Sequence, residues 1–149
     1  MPQAYAEIGN QTFSVKVGHF YTIIGYEGVP SLNNFFYSKS YAYQFAGPFT
    51  HWGGLATWHV NDRVTVQGGV VNGWDSLDRD KDSATGIASI KYTAPENFWS
   101  LSFAMVTGNE PSAVATRFET RTRYSAIFTL HPAERWEYVF HHHYAYQNQ

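Results

Sequence analysis

Along most of this chain apolar and polar residues alternate one by one, the period of a strand with two unlike faces. Ala4, Ala6 and Ile8 alternate with Tyr5 and Glu7, and Phe13, Val15 and Val17 with Ser14, Lys16 and Gly18. Ala56, Trp58 and Val60 lead to Asn61-Asp62-Arg63, after which Val64, Val66, Gly68 and Val70 continue the apolar set. Ala88, Ile90 and Tyr92 are spaced to pair with Trp99, Leu101, Phe103 and Met105, with Ser89, Lys91, Ser100 and Ser102 as their alternates. In a last hairpin Tyr124, Ala126, Phe128 and Leu130 oppose Trp136, Tyr138 and Phe140. The pattern predicts about eight strands of roughly 9–11 residues, the length a tilted strand needs to cross hydrocarbon. It has exceptions: His19, Asn72 and His142 fall on the apolar face, and Val71, Ile87, Val106 and Val139 on the polar one.

Short and long connections alternate. The short turns are Gly9-Asn10, Asn61-Asp62-Arg63, Ala94-Pro95-Glu96-Asn97 and His131-Pro132-Ala133-Glu134-Arg135; the long ones run from Thr22 to Thr50, Asp75 to Ser83 and Gly108 to Thr120. Loops sorted by length onto two rims are the pattern of membrane barrels, which a soluble meander has no reason to adopt. Aromatic residues mark both rims on the apolar face. Phe13, Trp58, Tyr92, Trp99, Trp136 and Tyr138 stand by the short turns, and Tyr21, Trp52, Trp74, Tyr124 and Tyr144 at the far ends. Trp and Tyr suit the headgroup level, being apolar in body and polar at the tip. The expected fold is all-β, an antiparallel up-and-down transmembrane β-barrel.

Composition agrees with that reading. The 149 residues have room for one domain, and aromatics make up 18% of them against 15% for charged residues. No apolar run approaches the roughly 20 residues of a membrane helix, whereas alternating strands escape hydropathy averages. Cysteine is absent, so neither disulfides nor thiol chemistry is available, and a net charge of −2 offers nothing to nucleic acid. Met1-Pro2-Gln3 runs into strand-like sequence without a basic or apolar leader, and Tyr144 to Gln149 enters what should be a surface loop. A closed eight-stranded barrel fills its interior with side chains, and an open sheet leaves edge groups unpaired in lipid. Residues 1–149 are therefore expected to be a single barrel segment of a longer chain with more strands.

On the polar face, Lys16, Arg63, Lys91, Arg117, Arg121 and Arg123 oppose Glu7, Glu119 and Glu137, with His141 and His143 beside them. Opposite charges across a water-filled lumen sort solutes by charge and size, so these residues are expected to line a pore. The long segment from Tyr26 to Phe49 is of a kind that is usually functional. Folded inward, it would bring Tyr26, Glu27, Phe35, Phe36, Tyr37 and Tyr41, with Tyr43 and Phe45, to a constriction with stacking surfaces. Packing of the same aromatics against the barrel wall or a neighbouring subunit is the equal alternative.

Asp78-Arg79-Asp80-Lys81-Asp82 begins like a calcium loop that also includes Asp75 nearby, but Ser83 stands where a Gly is required and no Glu closes it. A solvated tip is expected. In His141-His142-His143 the middle ring points away from its neighbours on a strand, so no metal is expected either. No Gly-x-Ser-x-Gly elbow or phosphate loop is present. Neither enzymatic activity nor a cofactor is expected.

The stretch Val17-Gly18-His19-Phe20-Tyr21-Thr22-Ile23-Ile24-Gly25-Tyr26-Glu27 resembles the OmpL-like β-barrel porin family of bacterial outer membranes. Tyr37-Ser38-Lys39-Ser40-Tyr41, Phe49-Thr50-His51-Trp52-Gly53-Gly54-Leu55 and Val70-Val71-Asn72-Gly73-Trp74-Asp75 follow in the family's order, and the likeness covers most of residues 12–145. It implies an outer-membrane channel for passive diffusion of small hydrophilic solutes or ions, surrounded by lipid. Trimers are common among porins, and Gly68 on the apolar face would allow close subunit contact. Two other readings stand beside this one. A soluble lipocalin-like barrel would turn Val15, Val66, Leu101 and Phe103 inward around an apolar ligand; an outer-membrane barrel enzyme would hydrolyse lipid or peptide.

Overall fold

Short turns reverse the chain after every second strand, so neighbours in sequence become neighbours in the sheet. The computed structural model describes residues 3–75, 84–111 and 118–148. Its strands are β1 (Ala4–Gly9), β2 (Phe13–Tyr21), β3 (Thr50–Asn61), β4 (Val64–Val71), β5 (Thr85–Thr93), β6 (Trp99–Pro111), β7 (Phe118–Ala133) and β8 (Trp136–Gln147). They form one antiparallel up-and-down sheet in the order β1 to β8, with β1 and β8 as its two edges. β6 and β7 run past the expected ends at Gly108 and Thr120, pairing Asn109 with Thr120 and Glu110 with Glu119. Helix is confined, among the described residues, to α1 (Tyr41–Phe45) and single 3-10 turns at Ser31–Asn33 and Pro95–Asn97.

Two of the turns use the same device. The side-chain oxygen of Asn10 accepts from the backbone N–H of Thr12 at 2.8 Å and of Phe13 at 2.9 Å. That of Asn61 accepts from Arg63 and Val64, both at 2.9 Å. An Asn that bonds forward to its own backbone fixes the reversal locally.

Register then decides which residues share a face. Val15 lies opposite Ala56, Trp58 opposite Val66, Val66 opposite Ile90, Ile90 opposite Phe103 and Phe128 opposite Phe140. The predicted apolar set therefore forms one continuous surface, and that surface is bare. Ile8 is 80% exposed, Val70 62% and Phe140 67%, and Leu101 and Phe103 are open beside them. A lipocalin-type barrel, with these residues wrapped around a ligand, is the reverse of this arrangement.

The opposite face bears the segment 22–49. Here Phe20, Leu55, Val71, Ile87, Ala104 and Val106 are buried together with Ile24, and Ile23 and Trp74 pack against them. The apolar exceptions Val71, Ile87 and Val106 are thus the surface on which the loop docks. Elsewhere this face is polar and cross-linked. Gln67 donates to the Thr57 hydroxyl and Ser89 to the Gln67 amide oxygen, each at 3.0 Å, while Ser14 donates to Glu7 at 2.8 Å. Lys16 lies 3.9 Å from the Glu7 carboxylate.

Burial on one face only makes unequal predictions for similar truncations. Leu55→Ala should cost about 2–5 kcal/mol by leaving a cavity in the core. Ile90→Ala on the bare face should change stability by less than about 1 kcal/mol. Urea midpoints in detergent micelles read both; equal losses would contradict the assignment of faces.

Candidate functional site

The segment 22–49 leaves β2, passes over the apolar end of the loop-bearing face, reaches β7 and β8, and returns to β3. Its neck is closed by the Thr22 N–H donating to the Phe49 carbonyl at 3.0 Å. Ile24 anchors it in the core. Gly25, at φ 98°, takes a left-handed turn that a side chain would resist and brings the backbone beside Arg123 and His141. The Tyr26 hydroxyl then donates to the Glu137 carboxylate at 3.2 Å, near the short-turn end of β8. His131 Nε2 lies 3.9 Å from the same carboxylate. On the returning limb, Gly47 lies so close to Arg123 that an added Cβ would fall 1.2 Å from a guanidinium nitrogen. A side chain there would force the guanidinium to move.

The loop is braced internally as well. Glu27 accepts from the Ser40 backbone N–H at 3.0 Å and from the Ser40 hydroxyl. Ser40 in turn caps α1 by accepting from the Tyr43 N–H at 3.2 Å. Lys39 donates to the Gly28 carbonyl, and Asn34 bonds both the N–H and the carbonyl of Gly28. Burial, then the Glu137 charge and hydrogen bond, raise the Tyr26 pKa; burial, then Glu27 and Asp75, raise that of Tyr43. Both phenols stay protonated at neutral pH, as the Tyr26 donor role requires.

Between loop and wall lies a cavity of about 860 Å³, with Tyr26, Phe35, Phe36 and Tyr43 on the loop side and Arg123, His141 and His143 on the strands. The Ser125 hydroxyl and His141 Nε2 are 2.9 Å apart, and the His141 and His143 rings are 5.1 Å apart. Arg123 is only 4% exposed, and its Nε has no hydrogen-bond partner.

Most of the charged residues expected to line a pore do share the loop-bearing face. Glu7 pairs with Lys16 across β1 and β2, Lys91 lies opposite Ser102, and His141 and His143 lie opposite Ile127 and Ser125. Arg121 donates to Gln147 at 2.9 and 2.7 Å and lies over the Trp74 ring at 5.0 Å. Gln147 also donates to Glu119. Arg63 differs: it stands exposed in the β3–β4 turn, at the rim. Arg117 lies outside the described residues. Of the constriction candidates, Tyr26, Glu27, Phe35 and Phe36 line the cavity, whereas Tyr37 and Tyr41 are exposed and do not.

Of the aromatics expected at the rims, Phe13 lies opposite Trp58, Tyr92 opposite Leu101, Trp99 opposite Leu130, and Tyr124 opposite Tyr144. Tyr138 lies opposite Leu130, Trp52 stacks on His19 at 4.8 Å, and Tyr21 pairs with Thr50. Trp136, at the β7–β8 turn, also reaches the cavity. Trp74 is a correction: it packs inward against the core, held by its backbone N–H donating to Glu110 at 3.1 Å and by Arg121 over its ring. It follows β4 rather than belonging to it, so strand alternation does not set its direction.

Sequence reasoning also missed Glu110, buried on the loop-bearing face, because it read those positions as loop rather than strand. Ser125, Gly25, Ser40 and Gly47 were missed because their roles arise only on contact with the folded loop. Asp75 serves as a cap, accepting from the N–H groups of Phe49 at 2.8 Å and Thr50 at 2.7 Å. Asp78, Asp80 and Asp82 lie outside the described residues.

The family model described as "Putative beta-barrel porin-2, OmpL-like" matches residues 1–149, the whole chain. The chain belongs to that family. No curated protein and no solved structure matches it.

Loop position is directly testable in a chain without cysteine. In the double variant Tyr26→Cys, Glu137→Cys a short bis-maleimide should join the two positions in folded protein and fail after unfolding in urea. Absence of the cross-link in folded protein would place the loop elsewhere.

Proposed function

We propose that this member of the OmpL-like porin family lies in the bacterial outer membrane, its bare face against lipid and its loop-bearing face toward a water-filled lumen. Small hydrophilic solutes or ions would cross by passive diffusion. One observation carries the reading: the exposed side of the sheet is its apolar and aromatic side. Water does not favour so continuous an apolar surface, and hydrocarbon does.

The transport mechanism needs no bond making and no cofactor. Between its edges the sheet satisfies its backbone groups by strand pairing and so replaces the hydrocarbon barrier with a polar wall. Glu7, Lys16 and Lys91 supply charge along that wall, and the segment 22–49 narrows the passage where it crosses to β8. In hydrocarbon the edges β1 and β8 need hydrogen-bonding partners, which further strands would supply. Gly68, with open space where a side chain would be, leaves the bare face flat enough for a neighbouring subunit in an oligomer such as a trimer.

The full-length gene product in a planar lipid bilayer should give stepwise, ohmic channels. Lys16→Glu with Lys91→Glu should shift their selectivity toward cations. Phe103→Arg should oppose insertion by about 2–4 kcal/mol, while Ser102→Arg on the other face should insert normally. A protein that stays monomeric in water without detergent and never conducts would sink the reading.

A further inference from the structure

Among the described residues, Arg123 is a charge the fold leaves incompletely matched. The residue is 4% exposed, and its Nε is buried without a hydrogen-bond partner. Burying an unpaired charge is unfavourable enough that such groups are normally matched by an anion. A second unmatched group sits on the neighbouring strand: the buried Nδ1 of His143 also lacks a partner. Both residues line the cavity of about 860 Å³ beneath the loop.

The balance of charge around that cavity points the same way. Lys39 and Arg135 line it with Arg123, against the carboxylates of Glu27 and Glu137. Those carboxylates are already engaged by Ser40 and by Tyr26, and neither pairs with Arg123. A planar guanidinium whose Nε has no protein partner matches the two oxygens of a carboxylate or phosphate. The opposite wall, Tyr26, Phe35, Phe36 and Tyr43, is aromatic. Its volume suits a small organic molecule.

The geometry points to a binding site for small organic oxyanions, with the carboxylate or phosphate on Arg123 and His143 and a planar body against the loop aromatics. This deepens the channel reading, on which it rests only for the route by which the solute arrives. Segment 22–49 then acts as a recognition element as well as a constriction, and solutes bearing one oxyanion would be held in preference to neutral analogues of equal size.

The test is calorimetric titration of the full-length protein in neutral detergent micelles with benzoate, phenyl phosphate and benzyl alcohol, alongside bilayer recordings. Benzoate and phenyl phosphate should bind one per chain, benzyl alcohol about tenfold or more weaker, and Arg123→Gln should weaken benzoate about 10- to 100-fold. Ser100→Ala, on the same face away from the cavity, should leave it unchanged. Equal affinity for benzoate and benzyl alcohol, or an Arg123→Gln protein that binds as the wild type does, would overturn the proposal. If Arg123→Gln does not fold, Arg123→Lys and His143→Gln carry the test, and unchanged affinity in both overturns it. Channels that conduct while benzoate neither binds nor blocks would remove the site and keep the porin. Benzoate binding by a protein that forms no channels would do the reverse.

Discussion

The structure depends on the hydrogen-bond ladder of an antiparallel sheet, which uses up the backbone polar groups in one plane and leaves side chains to project alternately above and below it. Register therefore sets both surfaces at once, and a slip of one residue would exchange them. The ladders from β1 to β8 keep one apolar face through every pairing. Irregularities occur between His59 and Asn61 and between Leu130 and Ala133, both beside short turns. There a bulge ends a pairing without inverting the strand that precedes it.

The loop-bearing face solves a different problem. A polar wall offers little to hold a long segment, yet 22–49 lies across it. Hydrophobic burial fixes the near end, where Ile24 enters the cluster of Phe20, Leu55, Val71, Ile87 and Val106. A hydrogen bond from Tyr26 to Glu137 fixes the far end. Arg123 lies between, pressed against Gly47 with its Nε unpartnered. The same contacts that position the loop thus leave one guanidinium nitrogen and one imidazole nitrogen unmatched on residues that line the cavity beneath it.

Faces, pairings and turns were legible in the sequence because period-two alternation and Asx turns are local properties of a few residues. Phe103 opposite Ile90 and Leu130 opposite Tyr138 follow from them directly. The loop's destination was not legible, since nothing within Tyr26 to Phe49 encodes contact with residues about a hundred positions later. A signal did exist: Val71, Ile87 and Val106 broke the pattern at the same end of the sheet, which marks a docking patch. Trp74 and Arg63 were misplaced for a related reason, as both stand beyond strand ends where alternation no longer governs direction. Glu110 was hidden by the belief that β6 ended at Gly108.

The central claim is that one face of this sheet meets hydrocarbon and the other meets water. Spin labels placed singly along β6, in a chain that has no native cysteine, measure it residue by residue. In lipid bilayers, labels at Leu101, Phe103 and Met105 should be relaxed by oxygen and shielded from an aqueous nickel chelate, while labels at Ser100 and Ser102 should show the opposite. Uniform access to the aqueous reagent, or alternation of the opposite phase, would contradict it.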